Sequence, residues 1–212
     1  MVDLTFYGGV GEIGGNKILL EADDTRIFLD FGQSFTFGSK FFAGWLDART
    51  NRFGLRDYFA LDLLPKIPGL FGAASLEPTD FPYQNPAFDA IFLTHVHYDH
   101  VAHLGFADEK IPVYLGATTK CMMQSWETTS TTVKFGERDY YTFRTGDIIN
   151  VGNLQVEPIH VDHSTPAAYG YIIYTSQGAV VYTGDLRSHG PWGHMTRDFI
   201  DKARDVKPIA TI

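Results

Sequence analysis

The chain has 212 residues, 44% hydrophobic and 20% charged, which is enough for one domain with a real core. A net charge of −8, from 17 basic and 25 acidic residues, excludes nucleic-acid binding through a broad basic face, though not through local positive potential. No apolar run approaches the ~20 residues that span a bilayer, and Met1-Val2-Asp3-Leu4-Thr5-Phe6 lacks a signal-peptide pattern. The single cysteine, Cys121, has no partner for an internal disulfide and reads as a small buried hydrophobe. These features point to a cytoplasmic protein with no membrane partner.

Leu4-Thr5-Phe6-Tyr7 reads as a first strand, followed by Gly8-Gly9-Val10-Gly11-Glu12-Ile13-Gly14-Gly15-Asn16. Within it, Gly9-x-Gly11-x-x-Gly14 fits a dinucleotide-binding fingerprint, and Asp30 falls near the expected acidic position. That fingerprint needs a helix next, with its N-terminus facing the pyrophosphate. Instead Lys17-Ile18-Leu19-Leu20-Glu21-Ala22, a turn at Asp23-Asp24, and Arg26-Ile27-Phe28-Leu29-Asp30 spell a hairpin. The glycine segment is therefore a strand-to-strand loop that lets the backbone approach another element or a substrate closely. Asp30 ends the third strand, where aspartate commonly makes a turn.

Residues 33–87 form an aromatic-rich insertion, with Phe35, Phe37, Phe41, Phe42, Trp45, Phe53, Tyr58, Phe59, Phe71, Phe81 and Tyr83. A helix is predicted over 52–64, ending before Pro65, and Pro68, Pro78, Pro82 and Pro86 break the remainder into loops. So long a segment serves as a lid or wall beside a cleft, as a contact surface for another subunit, or as a packed cover on a sheet edge.

The apolar run Phe88-Asp89-Ala90-Ile91-Phe92-Leu93 leads into Thr94-His95-Val96-His97-Tyr98-Asp99-His100. Side chains two apart in an extended chain share a side, so His95 and His97 can converge on one ion as the strand ends. Asp99 and His100 lie past the bend and can reach a second point nearby. Imidazole nitrogen with some carboxylate oxygen suits zinc or a similar divalent ion. A lone histidine would more simply be a surface or core residue, but this clustered string is motif-grade.

Residues 101–106 are predicted to start a short helix, with His103 in register with the string but not assigned as a ligand. A parallel strand at 112–115 precedes a helix at 117–129 that carries Cys121, Met122, Met123 and Trp126. Strands follow near 140–143, 147–151 and 154–160, with turns at Gly146 and Gly152-Asn153. The last of them closes in His160-Val161-Asp162-His163-Ser164-Thr165-Pro166, where spacing alone does not choose between His160 and His163. A hairpin, 169–174 with 179–185, ends in Thr183-Gly184-Asp185, which places a carboxylate at a strand end. His189 and His194 read as loop histidines, 195–204 as a helix, and 207–212 as a final strand that stops abruptly. Sheets with occasional helices suit an α/β fold, an αβ/βα sandwich of two packed sheets with helices outside, formed by 1–212 as one domain.

The string His95-x-His97-x-Asp99-His100 resembles the signature of the metallo-β-lactamase superfamily of metal-dependent hydrolases. The glycine segment 8–16 and the Asp162-His163-Ser164-x-Pro166 stretch resemble the RNase J and β-CASP ribonuclease branch. The resemblance implies the same sandwich fold and two divalent ions, Zn2+ with Mn2+ as the alternative. It assigns His95, His97 and His163 to one ion, and Asp99 and His100 to the other. Asp185 would bridge both, as a two-oxygen carboxylate can between ions ~3.5–4 Å apart. Asp99 and Asp185 become the catalytic carboxylates, while Asp30 supports the metal-binding loop through hydrogen bonds without ligating. The implied activity is hydrolysis of RNA phosphodiester bonds, in RNA processing or decay, with RNA as the partner. Two alternatives stay open: an ester, lactone or thioester hydrolase, and a catalytically inert fragment or partner subunit. In such relatives a β-CASP domain follows at about this point, and the chain later returns one more metal-binding histidine. Residues 1–212 thus read as truncated before that domain, with any self-association through regions outside this chain.

Overall fold

The computed structural model describes residues 1–43, 46–50 and 52–212, so Trp45 of the aromatic-rich insertion lies outside the described residues. The hairpin expected after the glycine loop opens the first sheet. Its strands are β1 (Val2–Gly8), β2 (Lys17–Ala22), β3 (Thr25–Leu29), β4 (Ala90–Leu93), β5 (Val113–Gly116) and β6 (Tyr140–Phe143), in that spatial order. The β2–β3 turn is possible because Asp23 and Asp24 both take left-handed φ, 52° and 61°, which short polar side chains tolerate. β1 to β3 run antiparallel and β3 to β6 parallel. The second sheet orders β11-β10-β9-β8-β7, from β7 (Ile149–Val151), β8 (Leu154–Val161), β9 (Ala168–Thr175), β10 (Gly178–Tyr182) and β11 (Ala210–Thr211). The helices are α1 (Arg56–Ala60), α2 (Ala73–Leu76), α3 (Tyr98–Val101), α4 (Ala117–Thr129) and α5 (Gly193–Asp205).

Two-residue periodicity sorts the strand residues into three layers. Leu20, Ile27, Leu29 and Phe92 meet Val156, Tyr171, Ile173 and Val180 between the sheets. Their neighbours Leu19, Phe28, Ile91 and Leu93 face outward from the first sheet and join Leu115 and Met123. Ile172, Ala179 and Val181 face outward from the second sheet and pack on Phe199 of α5. Burying each Val, Leu, Ile or Phe among them stabilises the fold by about 1.5–3 kcal/mol. The outcome is the expected sandwich, with helices outside both sheets.

Four local expectations need correction. The insertion covers a sheet face rather than an edge: Leu55, Tyr58, Leu64, Ile67, Leu70 and Phe71 pack with Phe28, Ile91 and Leu93 of central strands. Its helix is five residues, not 52–64, because left-handed φ at Gly54 (46°) and Asp62 (53°) interrupts the backbone on both sides. The helix near the histidine string starts at Tyr98, inside the string, and gives way to a 3-10 turn at Leu104–Phe106. Cys121 is exposed, because α4 turns Thr119 and Met123 inward instead.

Candidate metal centre

The C-terminal ends of β3, β4, β8 and β10 deliver Asp30, Thr94 with His95, Asp162 with His163, and Thr183 to Asp185 to one end of the sandwich. Asp30 is fully buried and takes a left-handed φ of 58°, which turns the chain as β3 ends. Its carboxylate accepts four donors: Thr94 N (2.8 Å), Thr94 Oγ1 (2.8 Å), His100 Nδ1 (2.7 Å) and Tyr182 Oη (2.7 Å). These bonds fix tautomers. Thr94 gives its one hydroxyl proton to Asp30, so Oγ1 accepts from His95 Nδ1 at 2.9 Å. That leaves a lone pair on His95 Nε2.

His95 Nε2 lies 2.9 Å from His97 Nδ1, and His163 Nε2 lies 3.1 Å from the same atom. Asp185 Oδ2 is 3.5 Å from His163 Nε2. One donor atom from each of His95, His97, His163 and Asp185 lies within 4.8 Å of the others. Three imidazole nitrogens and a carboxylate oxygen this close together form a donor set that one cation satisfies at once. Ligand atoms around a tetrahedral ion with bonds of about 2.0–2.1 Å stand roughly 3.3 Å apart, so the spacing fits. Burial drives His95 down to about 2, helped by the charges of His100 and His97, so its ring stays neutral and available. Burial also lowers His163, with Asp185 opposing.

Asp99, His100 and Asp185 form a second group of the same kind, so Asp185 belongs to both. His100 Nε2 stands 3.6 Å from Asp99 Oδ2 and 3.4 Å from Asp185 Oδ1. Burial opposes charge on His100, but the carboxylates of Asp30 and Asp185 outweigh it and raise the ring to about 10. The hydrogen bond from His100 holds Asp185 down at about 2 against burial. A proton and a cation thus compete for the same lone pair of His100. The chemistry of both donor sets suits divalent metal binding.

The glycine loop presses on this group. A Cβ at Gly14 would come within 2.5 Å of the Asp99 Cβ, and Gly14 takes a φ of 72°. Gly184, with a φ of 52°, packs so closely on Thr94 that a Cβ would stand 2.8 Å from its methyl. Only glycine allows either approach.

The histidines left aside in the sequence lie elsewhere. His103 is buried among Phe37, Tyr58 and Phe106, with Nε2 3.1 Å from Gln33 Oε1. His160 stacks on Tyr169, and the His194 ring lies 5.9 Å from Trp192. His160, His189 and His194 belong to neither donor group. Sequence reading missed four supporting residues. Asn16 Nδ2 lies 3.2 Å from His100 Nε2, and Thr94 and Tyr182 hold Asp30. Asp162 takes Arg187 Nη2 at 3.0 Å and Nε at 3.1 Å, tying the His163 strand end to the loop after Asp185. Thr94 and Asp162 each adjoin a candidate histidine, and that adjacency was the available signal.

The family described as Beta-lactamase superfamily domain matches residues 64–204. Ribonuclease J of Helicobacter pylori is 28% identical over 210 residues, covering 93% of this chain and 25% of that protein. Ribonuclease J 2 of Staphylococcus aureus is 28% identical over 212 residues, covering 97% and 31%. The chain therefore spans about a quarter to a third of the length of these curated relatives. A solved protein of unknown function from Enterococcus faecalis matches with a TM-score of 0.75 at 27% identity, over 95% of this chain and 47% of that one. BJP-1, a subclass B3 metallo-β-lactamase of Bradyrhizobium japonicum, shares the fold with a TM-score of 0.56 at 10% identity, over 100% and 74%. Among the described residues no helix is long and apolar enough to cross a membrane. By its matched family, its sheet order and its clustered histidines and aspartates, the chain belongs to the metallo-β-lactamase superfamily of hydrolases and resembles RNase J.

Proposed function

We propose that this chain carries the metal centre of a ribonuclease that hydrolyses RNA phosphodiester bonds. The observation that supports it most is the pair of donor groups sharing Asp185, in a chain whose 28%-identical relatives are named Ribonuclease J. In this reading His95, His97 and His163 would hold one divalent ion and Asp99 and His100 a second, with Asp185 in reach of both. Zn2+ suits the three-nitrogen group, and Mn2+ is the alternative at the oxygen-richer one. Bound there, the ions supply Lewis acidity and bring the pKa of water toward neutrality.

The protein's own groups do the rest. Asp30 acts through His100 and Thr94, fixing the rings so that the Nε2 lone pairs of His95 and His100 are left for the donor groups. Asp99 lies beside His100 with its carboxylate on the shared side, where it orients the attacking water and takes its proton. The backbone N–H groups of Gly15 and Asn16 donate to the Asp99 carbonyl at 3.1 and 3.2 Å and hold that loop still.

The test is metal content by elemental analysis, together with cleavage of 5′-monophosphate and 5′-triphosphate RNA beside generic ester, lactone and thioester substrates. RNA cleavage that needs added divalent metal is expected. A metal-loaded protein that turned over only the small esters would overturn the reading.

A further inference from the structure

Against the glycine loop, and lined by none of the donor residues, lies a cavity of about 620 Å3, whose lining includes Lys17, Ser34, Thr36, Ser39, Lys40 and Glu12. Lys17 opens β2 on the same face as the core residue Leu19, and it is only 5% exposed. An ammonium carries three donors. One goes to the Gly15 carbonyl at 3.2 Å, and the group stands 5.9 Å from the Phe31 ring centre. Among the described residues no carboxylate oxygen lies within 4.0 Å of it. Burial draws Lys17 down to about 8, against the pull of Glu12, so it remains mostly charged at neutral pH.

Glu12, one of two acids in the cavity wall, is otherwise engaged. Glu12 accepts from Gly9 N at 3.2 Å and from Thr36 Oγ1 at 3.4 Å, and Asp62 stands in the wall without reaching Lys17. A buried, charged lysine at a core-facing strand position is costly unless something offsets it. Its unused donors, a second lysine and three hydroxyls line one polar space. That is the chemistry that receives a tetrahedral oxyanion.

We propose that this cavity is a phosphate subsite, with Lys17 as its charged anchor and Ser34, Thr36, Ser39 and Lys40 completing the cradle. Gly14 touches Asp99 while Gly8 and Gly11 line the cavity, so one loop walls both the subsite and the metal centre. On the ribonuclease reading, on which the source of the phosphate rests, the occupant is an internucleotide phosphate of the bound strand. A free phosphate or mononucleotide is the other source of the same chemistry.

The experiment compares wild type with Lys17→Met in two measurements. The first is the rise of Tm on adding inorganic phosphate. The second is affinity for a short RNA, read in the Asp185→Asn background so that no cleavage intervenes. Met has similar length and no charge. The ligand-free variant is therefore expected to melt at or above wild type, to lose the phosphate response, and to bind RNA roughly 10- to 100-fold more weakly. Methylphosphonate substitution at single RNA positions separates the sources: one neutral linkage that reproduces the loss, and adds nothing to Lys17→Met, marks a backbone phosphate. Loss of the inorganic phosphate response alone marks a free phosphate. A variant that melts lower yet keeps the full phosphate response and RNA affinity assigns Lys17 to the fold and overturns the subsite. Should Lys17→Met not fold, the exposed pair Ser39→Ala with Lys40→Gln decides instead, with an unchanged phosphate response overturning it. Absence of RNA cleavage by wild type, with the phosphate response intact, would sink the ribonuclease reading and leave the subsite standing.

Discussion

The two donor groups at the strand ends are built differently. One gathers three imidazole nitrogens from two loops, with His97 Nδ1 within 3.1 Å of both partners. The other has a single histidine, His100, flanked by Asp99 and Asp185 at 3.6 and 3.4 Å. The first is nitrogen-rich, and burial pushes His95 and His163 down, so those two rings stay neutral. The second is oxygen-rich, and the carboxylates of Asp30 and Asp185 raise its one histidine to about 10, so a cation there would compete with a proton. Lone pairs kept free on His95 and His163 would take zinc without first expelling a proton, whereas at His100 a proton would have to be exchanged. The comparison therefore predicts two unequal sites that share one residue.

The largest effect is expected from Asp185→Asn, which weakens both groups at once. Metal content should fall at both sites and RNA hydrolysis by at least about 100-fold; full turnover by this variant would falsify the bridging role. Next, His163→Ala and His100→Ala should separate the groups. After dialysis, elemental analysis is expected to show the tightly held ion lost in His163→Ala and retained in His100→Ala, with the same loss in both variants arguing for a single merged site. Chelation should lower Tm reversibly. An ion present at 1,000 times its Kd contributes about 4.1 kcal/mol, so the drop should be large in wild type and smaller in His163→Ala.

A lesser effect is expected from Asp30→Asn, which touches neither ion but removes the acceptor that fixes His100 and Thr94. Such partners are typically worth roughly 10- to 100-fold in metal affinity. The unpaired buried donors should also cost about 1–3 kcal/mol in denaturant unfolding. The smallest is Cys121→Ser. On the exposed face of α4 it should change stability by less than about 0.5 kcal/mol, and a larger loss would return Cys121 to the core.

Much of the centre was legible because its donors sit in short strings at strand ends. His95 and His97 alternate as an extended chain exits β4, and Thr183-Gly184-Asp185 ends β10 in the same way. The hairpin that displaced the dinucleotide reading was equally local, resting on two aspartates that accept left-handed backbone. The insertion was not legible. Its aromatics spoke for burial but not against which surface, and only packing on Phe28 and Ile91 set that. Its helix was overestimated because Gly54 turns where its backbone packs on Ser75 and Asp62 takes a left-handed φ, neither of which residue type alone signals. Cys121 misled for a related reason, since composition cannot say which side of a helix meets the core.

By itself the amino-acid order determined the strands, their alternation and the clustering of histidines and aspartates, because each depends on spacings of two to six residues along one chain. The tertiary structure alone decided that Asp30 sets the tautomers through Thr94 and His100, and that Lys17 is enclosed with no carboxylate oxygen of the described residues within 4.0 Å. These depend on residues many positions apart meeting at one end of two sheets, and only the packed β-sandwich determines which side chains share that space.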